Sequence, residues 1–153
     1  PAGTPSGFTA AAGATVVASR RAARELGLPV VARLVDWQVV GVDPRIMGIG
    51  PVPAVQKLLA RAGLGIRDIE EVELNEAFAC QVLACLKDLE LDGERVNPDG
   101  GAISLGHPIG ATGTRILVTL LHGMAARGRT RGIATLCVSG GMGVAALVEP
   151  EAG

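Results

Sequence analysis

Aromatic residues are nearly missing from this chain: among 153 residues there are two Phe, one Trp and no Tyr. That scarcity removes the stacking platforms on which single-stranded nucleic acids are held. Charge of one sign is missing too. The net charge is −1 and the 14 Lys and Arg are scattered, so no basic stripe marks a duplex-binding face. No apolar run approaches the ~18 residues of a membrane-spanning helix, and no membrane partner is expected. There are only three Cys, an odd number, and no secretory leader is recognisable. Free thiols in a reducing, cytoplasmic setting are therefore expected. A metal site is not expected, because no Cys-x-x-Cys pair exists. Cys80 and Cys85 stand five apart, about 140° around a helix axis.

What the chain does have is small and aliphatic. Apolar residues make up 48% of it and Gly occurs 22 times. The core must be built from Ala, Val, Leu and Ile, packed closely where Gly permits. The length is that of one domain.

Alternating patterns along the chain predict a mixed sheet with helices on its faces. Residues 1–13 read as a loop, and Ala14–Ala18 as a short strand. Arg20–Leu26 suits a helix stopped by Gly27. Val30–Val42 is rich in β-branched residues and reads as a strand, and Asp43–Pro53 as a Pro/Gly loop. Ala54–Ala62 reads as a helix with Val55, Leu58, Leu59 and Ala62 on one face. Glu71–Leu74 is a short strand, Phe78–Leu89 a helix, and Ala111–Ala126 a second long helix. Ile133–Val138 and Val144–Glu149 form a closing β-hairpin. From Gly110 to Ala126 the only full charge is Arg115. A helix apolar on most sides is normally covered on most sides, so a further layer is expected from another chain or a second domain.

Three loops carry the chemistry. The first is Gly100-Gly-Ala-Ile-Ser-Leu-Gly-His107-Pro-Ile-Gly-Ala-Thr-Gly113. Its glycines permit positive φ and close backbone approach, and Pro108 stiffens the residue after His107. The plainer reading of His107 is a loop histidine satisfied by a carbonyl. The functional one is an imidazole aimed at a developing oxyanion or at a thiol. The second loop, Cys137-Val-Ser-Gly-Gly-Met-Gly143, presents a thiol at a strand end before a turn rich in backbone N–H groups. Cys137 reads either as a small buried hydrophobe or as a thiol base or nucleophile. The third is Asn75-Glu-Ala-Phe-Ala79. Asn75 reads either as the N-cap of the following helix or as a holder of water in an oxyanion site. For Glu76 a structural hydrogen bond is favoured over proton transfer. Two tempting motifs fail. Gly101-Ala-Ile-Ser-Leu-Gly106 is followed by His107 and Pro108, not by the Lys and Ser/Thr of a phosphate loop. Pro51 and Pro53 break any dinucleotide fingerprint at Gly48-Ile-Gly50.

Taken together and in this order, these three loops strongly resemble the C-terminal domain of thiolases. Met47-Gly-Ile-Gly-Pro-Val-Pro-Ala54 and Ser6-Gly7 resemble the same family, and the resemblance covers nearly all of residues 1–153. It implies a thiolase-like α/β half and Claisen chemistry on acyl-CoA and acetyl-CoA, either thiolysis of 3-ketoacyl-CoA or condensation. By that resemblance Cys137 is the acid/base thiol, and His107 stabilises the thioester oxyanion and activates the acylated cysteine. Asn75 holds a water in the same oxyanion hole, and the Ser139 N–H contributes to a second hole. Ser6, Met47, Ala77 and Phe78 line the pantetheine channel.

Coenzyme A thioesters would be substrates, and no tightly bound cofactor is implied. The family's nucleophilic cysteine lies in an N-terminal half, and none of Cys80, Cys85 and Cys137 matches its context. An N-terminal thiolase domain or subunit is therefore the expected partner, a homo-oligomer the expected assembly, and the chain alone is expected to be inactive and to self-associate. The alternative is a non-catalytic thiolase-like domain used for assembly or coenzyme A binding.

Overall fold

A computed structural model describes residues 3–151. In chain order the elements are α1 (Arg20–Glu25), β1 (Ala32–Gly41), α2 (Pro51–Ala62), β2 (Glu71–Leu74), α3 (Ala79–Leu89), α4 (Ala102–Leu105), α5 (Thr112–Arg127), β3 (Gly132–Val138) and β4 (Met142–Pro150). The four strands form one mixed sheet in the order β1-β4-β3-β2. β2 runs parallel to β3, whereas β4 is antiparallel to both β3 and β1. This is the expected α/β half closing in a hairpin.

Two expectations need correction. Ala14–Ala18 forms no strand, and Val16 and Val17 are 87% and 83% exposed. A short apolar run becomes a strand only where an edge supplies hydrogen-bond partners, and none meets it here. The Asp43–Pro53 loop is largely helical: Pro44–Ile49 is a 3₁₀ turn, and α2 starts at Pro51 rather than Ala54. Both prolines of Pro51-Val-Pro53 fall in the first turn, where the missing N–H groups would have had no helical partner anyway.

The sheet has two unlike faces. Ile133, Ala145 and Leu147 pack with Val55, Leu58, Leu59, Cys85 and Leu89 under α2 and α3. Ala134 and Val148 face the other way, onto Ile116, Leu120 and Met124 of α5. β2 is buried along its whole length, although it reads Glu-Val-Glu-Leu. Val72 and Leu74 enter the α2–α3 core. The two glutamates meet arginines of α5, with Glu73 3.6 Å from Arg115 and Glu71 3.3 Å from Arg127. Both charges of α5 are thus turned onto carboxylates of β2.

One open apolar patch lies beside α5 rather than over it. Leu34, Trp37 and Val39 of β1 are 50%, 59% and 47% exposed. They stand opposite Val148, Ala146 and Val144 of β4. Directly opposed residues share a face, so this patch continues the α5 side of the sheet where the helix does not reach.

Glu73 has a consequence for stability. Burial pushes its carboxyl up to about 7 from 4.5, with Arg115 opposing. The native state then holds a proton that the unfolded chain has released, so this group's contribution falls as pH rises from about 4.5 to about 7. Glu70 and Glu149 are shifted downward by their hydrogen bonds and act with opposite sign. The expected result is a difference in slope. Glu73→Gln should flatten the descending part of the melting temperature against pH, followed by circular dichroism, and a profile parallel to the parent refutes the assignment.

Candidate active site

Parallel strands end at the same edge of a sheet, and here β2 and β3 end side by side. The Asn75 N–H continues the ladder by donating to the Thr135 carbonyl at 3.0 Å. Asn75 therefore leaves β2 beside the last residues of β3, which runs through Cys137 to Val138. The His107 loop is brought to this edge by the N-terminal arm, which hydrogen-bonds both to it and to the Asn75 loop. Ser6 N–H donates to the Ala77 carbonyl at 3.1 Å and Ala79 N–H to the Thr4 carbonyl at 2.9 Å. One residue on, His107 N–H donates to the Gly7 carbonyl at 2.8 Å. The segment Thr4–Phe8 is a strap between the Asn75 loop and the His107 loop.

Glu76 binds the same two loops from inside. Its carboxylate accepts from Asn97 Nδ2 at 3.0 Å and from the Ile103 N–H at 2.9 Å. A Cβ on Gly101 would overlap that carboxylate, which is why a glycine stands there. The structural reading of Glu76 holds.

Asn97 was not singled out from sequence. It sits at φ +49°, a left-handed conformation that Asn tolerates better than most residues. Its side chain pairs with both backbone groups of Leu74, at 2.8 Å each. The side-chain amide thus does for the end of β2 what another strand would do. An Asn-Pro-Asp-Gly stretch signals only a turn, and the partner 23 residues away is not legible in it.

Cys137, Met47, Ala77 and Phe78 line one cleft of about 250 Å³, together with Gln81 and Cys80. Gln81 ties its walls: Oε1 accepts from the Ala77 N–H at 3.2 Å, and Nε2 lies 3.5 Å from Cys85 Sγ. That sulfur in turn lies 3.5 Å from the Gly48 carbonyl oxygen. Burial pushes the Cys137 thiol above its ordinary 9.0, so it is held as a proton-bearing SH at neutral pH. Ser6 reaches the cleft only through its bonds to Ala77. His107, Asn75 and Ser139 do not line it.

His107 is half-buried on the adjoining loop, and its ring Nδ1 meets Thr112 Oγ1 at 2.7 Å rather than a carbonyl. Burial, with a smaller contribution from the positive charge of Arg115, holds its pKa below 6.5, so the ring is neutral near pH 7. Asn75 is 1% exposed and its Oδ1 has no hydrogen-bond partner. The N-cap alternative is not met, since α3 is capped by Phe78 without a side-chain bond. A buried amide oxygen left unpaired costs about 1–3 kcal/mol. Ser139 is exposed in the β3–β4 turn, followed by Gly140 and Gly141 at φ +87° and +86°.

The cleft thus presents a protonated thiol among mainly apolar walls, and the neutral imidazole stands on the neighbouring loop. The described residues hold no cluster of three or more His, Cys, Asp or Glu able to bind a metal ion, and no helix among them is long and apolar enough to cross a membrane.

Comparison with known proteins agrees with the motifs. Acetyl-CoA acetyltransferase of Escherichia coli (strain K12) is 54% identical over 148 residues, which is 97% of this chain but 38% of that relative. The cytosolic acetyl-CoA acetyltransferase of Mus musculus is 49% identical over 94% of the chain and 36% of its own length. Among solved structures, human mitochondrial 3-ketoacyl-CoA thiolase in complex with CoA superposes with a TM-score of 0.90 at 40% identity, covering 99% of this chain and 38% of that one. The chain thus spans little more than a third of the length of these relatives. Residues 28–150 match the family described as the thiolase C-terminal domain, and to that family this chain belongs.

Proposed function

We propose that this chain supplies the proton-handling half of an acyl-transfer site acting on coenzyme A thioesters. The observation that carries it is the placing of Cys137, Ala77, Phe78 and Met47 around one cleft at the strand ends, with the His107 loop strapped to the Asn75 loop beside it. Cys137 takes and returns the α-proton of the acyl unit. His107 and a water held by Asn75 stabilise the thioester oxyanion, and the Ser139 N–H serves a second oxyanion position. Ser6, Met47, Ala77 and Phe78 guide the pantetheine arm. The region of the relatives that this chain does not match brings the nucleophilic cysteine, and it covers Leu34, Trp37 and Val39. Without that region the chain turns over no substrate and self-associates through those residues.

The test is reconstitution. The chain is co-purified with the unmatched N-terminal portion of the Escherichia coli relative, and coenzyme A-dependent loss of a 3-ketoacyl-CoA is followed by absorbance. Turnover by the complex, absent from either part, is the expected outcome. A stable complex that binds coenzyme A without cleaving the ketoacyl thioester instead supports a binding or assembly role and overturns catalysis.

A further inference from the structure

The Thr112 hydroxyl is fully buried in the first turn of α5 and has two close polar neighbours. His107 Nδ1 lies 2.7 Å from Oγ1, and the Pro108 carbonyl oxygen lies 3.0 Å from it. That carbonyl also accepts the Ala111 N–H at 2.7 Å. A hydroxyl has one proton and two lone pairs, and a carbonyl oxygen has no proton at all. Two oxygens 3.0 Å apart therefore attract only with the hydroxyl proton between them. Once that proton points at Pro108, Oγ1 presents a lone pair to the ring. A 2.7 Å contact is then favourable only if Nδ1 carries hydrogen. The reverse arrangement, with the hydroxyl proton on the line to Nδ1, leaves Oγ1 and the Pro108 oxygen facing each other lone pair to lone pair.

We propose that Thr112 is a positioning residue that holds His107 in the tautomer with hydrogen on Nδ1, leaving Nε2 as a bare lone pair. The relay runs Nδ1–H to Oγ1–H to O=C of Pro108. The backbone bond from His107 N–H to Gly7 fixes the same residue from its other side. The chemical consequence, though not the tautomer, rests on the acyl-transfer reading. A bare Nε2 cannot stabilise an oxyanion in the resting state; it acts first as a base. It takes the proton of a cysteine thiol brought by the completing region: the S–H bond breaks, the N–H bond forms, and thiolate and imidazolium result. Only then does Nε2–H become a donor to the oxyanion.

The test reads the ring directly. The chain is labelled with ¹⁵N-histidine and carries His122→Gln, so that one ring remains. Spectra are recorded above the titration range of the ring, in solution or on sedimented material if the chain self-associates. The expected spectrum shows a pyrrole-type Nδ1 and a pyridine-type Nε2, and Thr112→Ser keeps it. Thr112→Val, with backbone amide shifts of α5 as the folding control, shows a loss of that separation as the tautomers average. A pyrrole-type Nε2, or averaged shifts in the parent, overturns the proposal, and the parent spectrum decides even if the valine variant does not fold. Correct ring shifts without turnover in the reconstituted complex sink the acyl-transfer reading alone.

Discussion

Cys137→Ala is expected to lower α-proton exchange of acetyl-CoA in the completed enzyme by about 10²–10⁴-fold, the range supplied by a positioned acid–base group. Burial raises the thiol above its ordinary 9.0, so the exchange rate should keep rising through the alkaline range. Loss of the thiol should remove this alkaline rise with the rate. The plainer reading of Cys137, a small buried hydrophobe, makes a different forecast. Alanine would then change stability modestly and leave exchange intact. Incorporation of deuterium into the acetyl methyl group separates the two, with the melting temperature read on the same samples. Retained exchange in the alanine variant would remove Cys137 from the mechanism.

Gly143→Ala is expected to give the largest loss of stability of any single methyl group added to the chain. Gly143 lies opposite Cys137 on β3 and Val40 on β1. A Cβ there would overlap the carbonyl group of Gly50, and one on Gly50 would meet the backbone of Met142 and Gly143. Two backbones touch here with no side chain between them, and neither side can yield as a flexible side chain would. That contact seats the turn before α2 against β4 and carries Met47 to the cleft. Overpacking costs about 1–3 kcal/mol in general, and a backbone-on-backbone overlap belongs at the upper end. Gly113→Ala is the control. Nothing lies within 4 Å of its would-be Cβ, and alanine in a helix is favoured over glycine by ~0.5–1 kcal/mol. Urea midpoints that fall for Gly143→Ala and hold or rise for Gly113→Ala are the expected pair. Equal midpoints for Gly143→Ala and the parent would show that the two backbones do not pack this closely.

Local periodicity is legible wherever an element answers to its own residues. Glu71–Leu74 is read with the ends it has, and α3, α5 and the hairpin lie within a few residues of their expected limits. Reading fails where the answer depends on a distant partner. Ala14–Ala18 has strand-forming residues and no edge to join. The capping role offered to Asn75 yields to burial, because the chain turns before α3 begins. Asn97 and Thr112 act through side-chain bonds to Leu74 and His107, which no spacing rule reports.

Residue order alone was enough for most strands and helices, for the three loops and for their family, since each rests on neighbours a few positions apart; Ala14–Ala18 and Pro44–Ile49 are the exceptions. Folding decided the rest. It put Glu71 and Glu73 of β2 beneath the arginines of α5, left Leu34, Trp37 and Val39 bare, and strapped the His107 loop to the Asn75 loop through Thr4–Phe8. Such outcomes turn on which faces meet across the sheet, and contact between segments far apart in the chain leaves no periodic trace in either of them.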